Sequence, residues 1–402
     1  MLKQLQLKNF KAWKELDIHF SQVTALFGAN NSGKSSLIQF LLMLKQTKEA
    51  TGSGVVLNLN HAPTFVDLGT YENLIYQHQA QLPLSWVIDW KPTNHSTYIQ
   101  TQASVNLAQQ QLQLRSLGYK TTHTSFELNL NSRGHFDFIQ NEKFIKQVLH
   151  PVKTHLFPNE SQIDLVSNFL RVFEFEYEQM MDGIYYLSAL REPVKREYQW
   201  FSSNPVGVGF RGEWCMEAIL SATICNEMRL LNDKLEPFSV IISYWLKKLG
   251  LVDQFSIKEM APHSNLYRPL VKKTNNSTEF FLTDVGLSVS QVLPVLVLLY
   301  YVPEESTVLI DQPEIYLHPS IHSGLADIIL NVSKQRNIQV IIESHSEHLL
   351  RRFQGRVAEK SYSVDDLKLY VCRNNDKESS VTDLNINELG EIEQWPNHFF
   401  NE

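Results

Sequence analysis

Residues 28–35 combine glycine, lysine and serine at a spacing suited to binding a chain of phosphates. They read GANNSGKS and fit the pattern G-x-x-x-x-G-K-[ST] at every fixed position. In this pattern the glycines let backbone N–H groups turn inward, the lysine reaches the β- and γ-phosphates, and the hydroxyl ligates Mg²⁺. The sequence therefore predicts a site for a nucleoside triphosphate. Its expected contacts are Gly28, Asn30, Asn31, Ser32, Gly33, Lys34, Ser35 and Ser36.

The flanking segments supply the strand and the helix that such a loop needs. Val23–Phe27 is a short apolar run and is predicted to form a buried strand. After the lysine, apolar residues recur at helical spacing, at Leu37, Phe40, Leu41 and Leu44. The positive end of a helix would then face the phosphates.

A second group of residues, 306–319, places an acid at the end of an apolar run. It reads STVLIDQPEIYLHP. Phosphate-loop ATPases present a carboxylate to Mg²⁺ from the end of such a strand, so Asp311 is predicted to be a metal ligand together with Ser35. An aspartate at a strand end is also a common turn or capping residue, so the prediction depends on the phosphate loop upstream.

Apolar spacing along the rest of the chain predicts an α/β protein. Alternation favours two strands before the phosphate loop and an antiparallel β region over 84–138. Three- and four-residue spacing favours helices over 143–181 and 213–249. From residue 306 onward strands and helices alternate, which predicts parallel β-α units with ligand at the carboxyl ends of the strands. The apolar positions of the first helical stretch include Ile145, Val148, Leu165, Phe169 and Val172.

Composition and charge favour a globular protein of the cytoplasm. The chain has 402 residues and a net charge of −7, which argues against a surface coated with nucleic-acid phosphate contacts. Its three cysteines form no C-x-x-C pair, so neither a disulfide framework nor a zinc site is indicated. The amino terminus is too polar for a signal peptide, and the most apolar run, 289–302, is shorter than a bilayer span. We therefore expect no membrane association.

Six motifs outside the phosphate loop give the chain a resemblance to a known group of ATPases. They are KNFK at 8–11, YLSALREP at 186–193, DVGLSVSQ at 284–291, DQPEIYLHP at 311–319, IIESHS at 341–346 and WPNHFF at 395–400. On these residues the chain resembles the ABC-type ATPase heads of RecF, SMC and OLD proteins. In overall pattern it is similar to compact ATPases of bacterial anti-phage defence, relatives of the Septu and Gabija ATPase subunits.

The resemblance implies an ABC-type ATPase head, an α/β phosphate-loop fold whose mixed or parallel sheet is flanked by helices. It also implies ATP and Mg²⁺ as cofactors, and antiparallel β and helical lobes inserted in the head. The expected segments are 1–83 as the first part of the head with the phosphate loop, 84–140 as a β-rich insertion, 141–275 as a helical lobe, and 276–402 as the second part of the head.

The resemblance further implies that two copies meet around ATP. Residues 287–291, LSVSQ, correspond to the signature LSGGQ but lack both of its glycines. In that group the signature covers the γ-phosphate bound to the other subunit. Ser288, Ser290 and Gln291 are the expected contacts, with a helix N-terminus near Ser290 adding donors. The same residues are also expected to begin a buried helix over 289–301 that Ser288 caps.

Three residues are candidates for the hydrolytic step. His345 matches the switch histidine of ABC ATPases; a metal pair with His348 is the disfavoured alternative, because a third histidine is lacking nearby. Gln312 stands where those enzymes keep the glutamate that activates water, and an amide cannot accept that proton. Glu314 is the other candidate for the base, although it could instead interact with the dipole of the helix that follows.

Two arginines lie close to glutamates in a charged, proline-containing run. Arg191 and Arg196 could contact phosphate or a partner. Internal ion pairs with Glu192 and Glu197 are the expected arrangement.

These features favour an ATP-gated homodimer or higher homo-oligomer that hydrolyses ATP. The expected function is the ATPase sensor of an anti-phage system that controls a separately encoded effector such as a nuclease. Two alternatives stay open. One is a RecF-like ATPase of DNA repair or chromosome maintenance that contacts nucleic acid, and the other is a non-hydrolysing subunit that ATP locks into an assembly.

Overall fold

The structure is a computed structural model that describes residues 1–50, 55–60, 65–92, 98–108, 111–148, 167–375, 377–392 and 395. The strands are β1 Leu2–Phe10, β2 Trp13–His19, β3 Val23–Phe27, β4 Leu84–Trp90, β5 Ile99–Ala108, β6 Gln111–Lys120, β7 Ser125–Leu130, β8 Phe136–Gln140, β9 Lys143–Val148, β10 Ile184–Leu187, β11 Tyr198–Gln199, β12 Met228–Leu231, β13 Lys234–Pro237, β14 Gln254–Glu259, β15 Leu266–Lys272, β16 Phe280–Phe281, β17 Thr307–Asp311, β18 Gln339–Ser344, β19 Leu367–Asn374 and β20 Ser379–Asp383. The helices are α1 Lys34–Glu49, α2 Tyr71–Leu74, α3 Ser167–Asp182, α4 Cys215–Ile224, α5 Phe238–Lys248, α6 Leu287–Tyr301, α7 Pro319–Gln335 and α8 Glu347–Ala358.

The chain divides into two compact units, each built from segments that are distant in sequence. The first comprises Met1–Ser21, Gly28–Ile184 and Tyr370–Asp383, and the second comprises Gln22–Phe27, Tyr185–Leu369 and Leu384–Glu402. The phosphate-loop motif therefore belongs to the first unit, and the acidic motif belongs to the second.

The first unit is built on an antiparallel sheet with the strand order β2-β1-β4-β5-β6-β7-β8-β9. Because β1 lies between β2 and β4, Leu5 is opposite Ile18 on one side and Ile88 on the other. Alternate residues of β4 are buried, which is typical of a strand with one covered face. Helix α3 contributes to that cover, since the ring of Phe173 stacks on Tyr119 of β6 with centroids 5.7 Å apart.

The second unit contains three parallel strands, β17, β18 and β3. Asp311 at the end of β17 is in register with Glu343 of β18, and Ser344 is in register with Phe27 at the end of β3. All residues of β18 and β3 are buried, as expected for parallel strands covered on both faces. The carboxyl ends of these strands consequently lie at one edge of the sheet.

Helix α6 forms part of the buried core of this unit. Twelve of its fifteen residues are buried, and Arg336 at the end of α7 donates hydrogen bonds to the carbonyl oxygens of Leu299 and Val302 at 2.8 and 2.6 Å. These bonds satisfy acceptors that a helix leaves open at its carboxyl end. Among the described residues, no helix has both the length and the apolar character that a membrane crossing requires.

The structure confirms most of the predicted elements around the motifs. The opening strands, the strand and helix on either side of the phosphate loop, and the alternation of β17, α7, β18 and α8 are all present. The parallel pairing of β17 and β18 is confirmed as well. Of the motif at 395–400, all but Trp395 lies outside the described residues, and so does Leu165.

Three local predictions are wrong. Residues Ile145 and Val148 lie in strand β9, which pairs with β8 at the edge of the first unit's sheet, and the helix of that region is α3. Residues three positions apart lie on one face of a helix but on opposite faces of a strand, and Ile145 is exposed whereas Val148 is buried. Two apolar positions in a six-residue segment are too few to establish a helical period. The β12-β13 hairpin interrupts the helical stretch predicted over 213–249. Helix α6 begins at Leu287 with Gly286 as its N-cap, so Ser288 is not the cap.

A half-buried clamp between α7 and α8 yields a stability prediction. Asp327 accepts hydrogen bonds from Arg352 and Arg356 at 2.7–2.8 Å. Burial alone would raise the pKa of Asp327, but the bonds from both arginines outweigh it and lower that pKa below 3.8. Asp327→Asn should lower the free energy of unfolding by roughly 1–3 kcal/mol at pH 7.

Because the folded-state pKa of Asp327 is depressed, its contribution is present above about pH 4 and is lost as the pH falls through the folded value. Urea denaturation of wild type and Asp327→Asn should therefore differ at pH 7 and converge below about pH 4. Asp233→Asn, in an exposed turn, is the control and should leave stability unchanged. A difference that persists undiminished at low pH would contradict the clamp.

Candidate nucleotide site

The phosphate loop has the backbone curl that its sequence predicts. Gly28 and Gly33 have φ values of +144° and +95°, in the region that favours glycine. A Cβ at Gly28 would lie 2.2 Å from the carbonyl oxygen of Cys372, and one at Gly33 would lie 2.9 Å from the ring of Trp13. Backbone conformation and close neighbours therefore require glycine at both positions.

Lys34 is buried at the centre of this curl. Its Nζ donates hydrogen bonds to the carbonyl oxygens of Gly28 and Ala29 at 2.9 and 2.7 Å, and the residue is 2% exposed. Asn30 and Ser35, by contrast, are exposed. The loop thus combines an interior ammonium group with polar side chains on its surface, at the N-terminus of α1.

Two side chains that the sequence did not single out support the loop. Trp13 donates from Nε1 to the carbonyl oxygen of Gly33 at 3.1 Å. Asn374 donates from Nδ2 to the carbonyl oxygen of Asn31 at 3.2 Å. A phosphate-loop pattern carries no information on these residues, because they come from β2 and β19 and reach the loop only through the fold.

The second unit gathers acidic groups at the carboxyl edge of its parallel strands. Asp311 Oδ2 accepts a hydrogen bond from the Tyr186 hydroxyl at 2.7 Å, and its carbonyl oxygen accepts one from Arg191 Nη2 at 3.1 Å. Burial and the neighbouring Glu343 raise the pKa of Asp311 to about 7, while Tyr186 and Arg191 act in the opposite direction. Burial lowers the pKa of Arg191 to about 10. The site is therefore rich in acid and short of positive charge.

These residues fit a magnesium ion at Asp311. Its Oδ1 is buried and has no hydrogen-bond partner among the described residues, so a cation would compensate it. Within the described part of the chain no three His, Cys, Asp or Glu residues are grouped to hold a metal. An ion at Asp311 would thus take other ligands from a hydroxyl, water and phosphate, as Mg²⁺ commonly does. Such an ion would neutralise developing phosphate charge.

Glu314 contacts the end of β18. Its Oε1 accepts hydrogen bonds from Ser344 Oγ at 2.6 Å and from the His345 main-chain N–H at 2.9 Å. Burial, the largest influence, raises the pKa of Glu314. Gln312 lies in the left-handed region with φ +41° and donates from its main chain to the carbonyl oxygen of Glu343. The structure thus joins Glu314 to the candidate switch histidine.

The signature-like segment is only partly accessible. Ser290 and Gln291 are 5% and 6% exposed, and the Ser290 hydroxyl donates to the carbonyl oxygen of Leu287 at 2.7 Å. Leu287 is exposed and Ser288 is half-buried. Leu287 and Ser288 therefore form the accessible part of this segment at the start of α6.

The expected internal ion pairing is confirmed for Arg196, but the glutamate partners predicted for the two arginines are wrong. Arg196 pairs with Asp284 at 2.6 Å, and Glu197 pairs with Arg268 at 2.5 Å. Arg191 is 6% exposed and lies with Asp311 in the acidic group. The YLSALREP motif was the sequence feature that could have indicated the position of Arg191 near Asp311. It places Tyr186 and Arg191 five residues apart at the end of a strand.

Comparison with known proteins decides the family. A family described as an AAA ATPase domain matches residues 1–350. The chain belongs to this family. A second family, described as a protein of unknown function (DUF3696), matches residues 363–402. No curated protein sequence matches the chain.

The ATPase domain also resembles solved structures of SMC heads. The Smc head bound to the C-winged helix domain of ScpA is 14% identical with a TM-score of 0.51, over 96% of this chain and 98% of that chain. The SMC head domain from Thermotoga maritima is 11% identical with a TM-score of 0.45, over 96% and 99% of the two chains. The first of these supports the fold alone, and the predicted α/β class is confirmed.

Tyr186 lies beside Asp311 in this ATPase domain, and the role of its hydroxyl group can be tested by removing that group. Tyr186→Phe leaves Asp311 Oδ2 without its donor, which should lower the free energy of unfolding by about 1–3 kcal/mol. The loss should be larger at pH 8 than at pH 5, because the hydroxyl stabilises the ionised carboxylate, and Asp311 ionises as the pH rises through about 7.

Chemical denaturation of the metal-free and nucleotide-free protein at both pH values measures this effect. Tyr316→Phe, at a residue that is 61% exposed, is the control. An equal loss at the two pH values would show that the Tyr186 hydroxyl does not act through Asp311.

Proposed function

We propose that this protein is an ABC-type ATPase that binds and hydrolyses ATP and dimerises around it. The main support for this proposal is the phosphate loop. Its backbone curls around Lys34, and at Gly28 and Gly33 only glycine fits. In this proposal the loop residues bind the triphosphate, Ser35 and Asp311 ligate Mg²⁺, and His345 senses the γ-phosphate. Gln312 and Glu314 complete the set that determines the rate of hydrolysis.

The dimer would use the exposed start of α6. Leu287 is 55% exposed and the N-cap residue Gly286 is exposed as well, so main-chain N–H groups of the first turn are near the surface. Ser288 is the side chain best suited to a phosphate of the opposing subunit. Ser290 and Gln291 are buried, and the Ser290 hydroxyl is bonded to the carbonyl oxygen of Leu287, so we assign them the support of this turn.

We further propose that ATP-driven closure regulates a separately encoded effector in anti-phage defence, for which a nuclease is the favoured chemistry. Support comes from the overall sequence pattern, which resembles that of anti-phage ATPases, including the motifs at 186–193, 284–291 and 395–400. ATP would shift the protein between open and closed states, and the effector would respond to the closed state.

A second candidate function is a non-hydrolysing nucleotide switch. It is favoured by Gln312, an amide at the position where ABC enzymes carry the water-activating glutamate. In that case ATP would lock the assembly without turnover. Phosphate release in a single turnover separates the two functions.

Lys34→Ala should reduce ATP affinity by at least about tenfold and abolish both phosphate release and ATP-dependent dimerisation, because a charge-assisted contact with phosphate is lost. Isothermal titration, single-turnover phosphate release and sedimentation with a slowly hydrolysed analogue measure the three effects. Lys14→Ala, at an exposed residue of β2, is the matched control.

Unimpaired ATP binding by Lys34→Ala would refute the assigned site. Binding without phosphate release by wild type would favour the non-hydrolysing switch. Turnover that DNA stimulates in a salt-sensitive manner would favour the RecF-like alternative.

The defence role predicts that co-expression with the neighbouring genes lowers phage plating, and that Lys34→Ala restores plating to the level of an empty vector. Efficiency of plating with a panel of phages measures this. Full protection by Lys34→Ala, with Lys14→Ala as control, would separate defence from nucleotide binding and contradict the proposal.

A further inference from the structure

The carboxylate of Glu314 is bonded to the segment that carries His345. One oxygen, Oε1, accepts from both Ser344 Oγ and the His345 main-chain N–H, at 2.6 and 2.9 Å. Ser344 is the last residue of β18, and His345 begins the turn that leads to α8 at Glu347. Glu314 therefore fixes the backbone of His345 at the end of its strand.

This contact extends into the cap of α8. Ser344 Oγ also accepts from the Ser346 main-chain N–H at 2.9 Å. The hydroxyl oxygen of Ser346 in turn accepts from Leu349 N–H at 3.1 Å, and it is bonded to His322 Nδ1 at 2.8 Å. A continuous series of hydrogen bonds thus leads from Glu314 to the start of α8. Displacing Glu314 would loosen the whole turn that carries His345.

The same geometry is unsuited to a general base. A base must lie within hydrogen-bond reach of the water whose proton it takes. Glu314 is 8% exposed, its Oε1 already has two donors, and its Oε2 is buried and has no hydrogen-bond partner among the described residues. Oε1 is therefore placed to hold protein groups, and Oε2 is shielded from solvent water.

We infer that Glu314 is a positioning residue, which sets the location of His345 by accepting two hydrogen bonds and takes no proton from water. This inference rests on the proposed function, since it concerns the hydrolytic role of His345. If Glu314 is not the general base, the base is missing at position 312, where the chain has a glutamine. Hydrolysis by wild type is consequently slow, and Gln312→Glu supplies the missing carboxylate.

The test compares two substitutions of Glu314 that differ only in whether an acceptor oxygen remains. Glu314→Gln keeps an amide oxygen for both donors, so kcat should fall by less than about threefold with an unchanged pH profile. Glu314→Ala removes the acceptor, and kcat should fall about 10- to 100-fold with little change in the KM for ATP. Gln312→Glu should raise kcat. Glu304→Ala, at an exposed residue before β17, is the control.

An equal loss of kcat in Glu314→Gln and Glu314→Ala, with the acidic limb of the pH profile gone in both, would identify Glu314 as the base and overturn the inference. Ser344→Ala provides a second variant in case the Glu314 variants fold poorly. It removes one of the two donors, and it should lower kcat with little change in KM.

Hydrogen exchange of the nucleotide-free protein tests the contact independently of turnover. In Glu314→Ala the amides of His345 and Ser346 should exchange about tenfold faster, whereas Glu314→Gln and Glu304→Ala should leave them protected. Unchanged exchange in Glu314→Ala refutes the inference. If wild type releases no phosphate while exchange responds as expected, the proposed hydrolysis fails and the positioning of His345 stands.

Discussion

The parallel register of β17, β18 and β3 is the constraint on which the rest of the second unit depends. It sets Asp311 opposite Glu343 and ends all three strands at one edge. Parallel strands require covered faces, and helix α7, which packs on β18 and β3, provides part of that cover. Polar groups at the edge are therefore enclosed by an apolar core and must find their partners among themselves or in a ligand.

This edge of the sheet contains more buried acidic groups than buried positive charge. Asp311 and Glu314 both have raised pKa values, chiefly because of burial, and Arg191 is the nearby guanidinium. Leaving such groups uncompensated is costly in a folded protein. A cation at Asp311 would relieve that cost, so metal binding and the stability of this edge are linked. The hydrogen bond from the Tyr186 hydroxyl to Asp311 also moderates that cost.

The two motif regions rely on different kinds of rigidity. In the phosphate loop, rigidity comes from backbone conformation, because Gly28 and Gly33 occupy positions that a side chain would not fit. At the end of β18 it comes from side-chain hydrogen bonds, in which Glu314 and Ser344 fix the turn before α8. The first kind is visible as a sequence pattern, whereas the second requires residues thirty positions apart to meet.

The sequence alone determined the phosphate loop, the strands and helices around both motifs, and the α/β class, because glycine positions and apolar periodicity act locally. Tertiary structure decided what local patterns cannot express. It showed that 143–148 is a strand, since pairing with β8 outweighs a helix-like spacing. It also placed Arg191 beside Asp311 and bonded Glu314 to His345. The partner of a buried polar group depends on which distant segment the packed core brings beside it, and no single stretch of sequence contains that information.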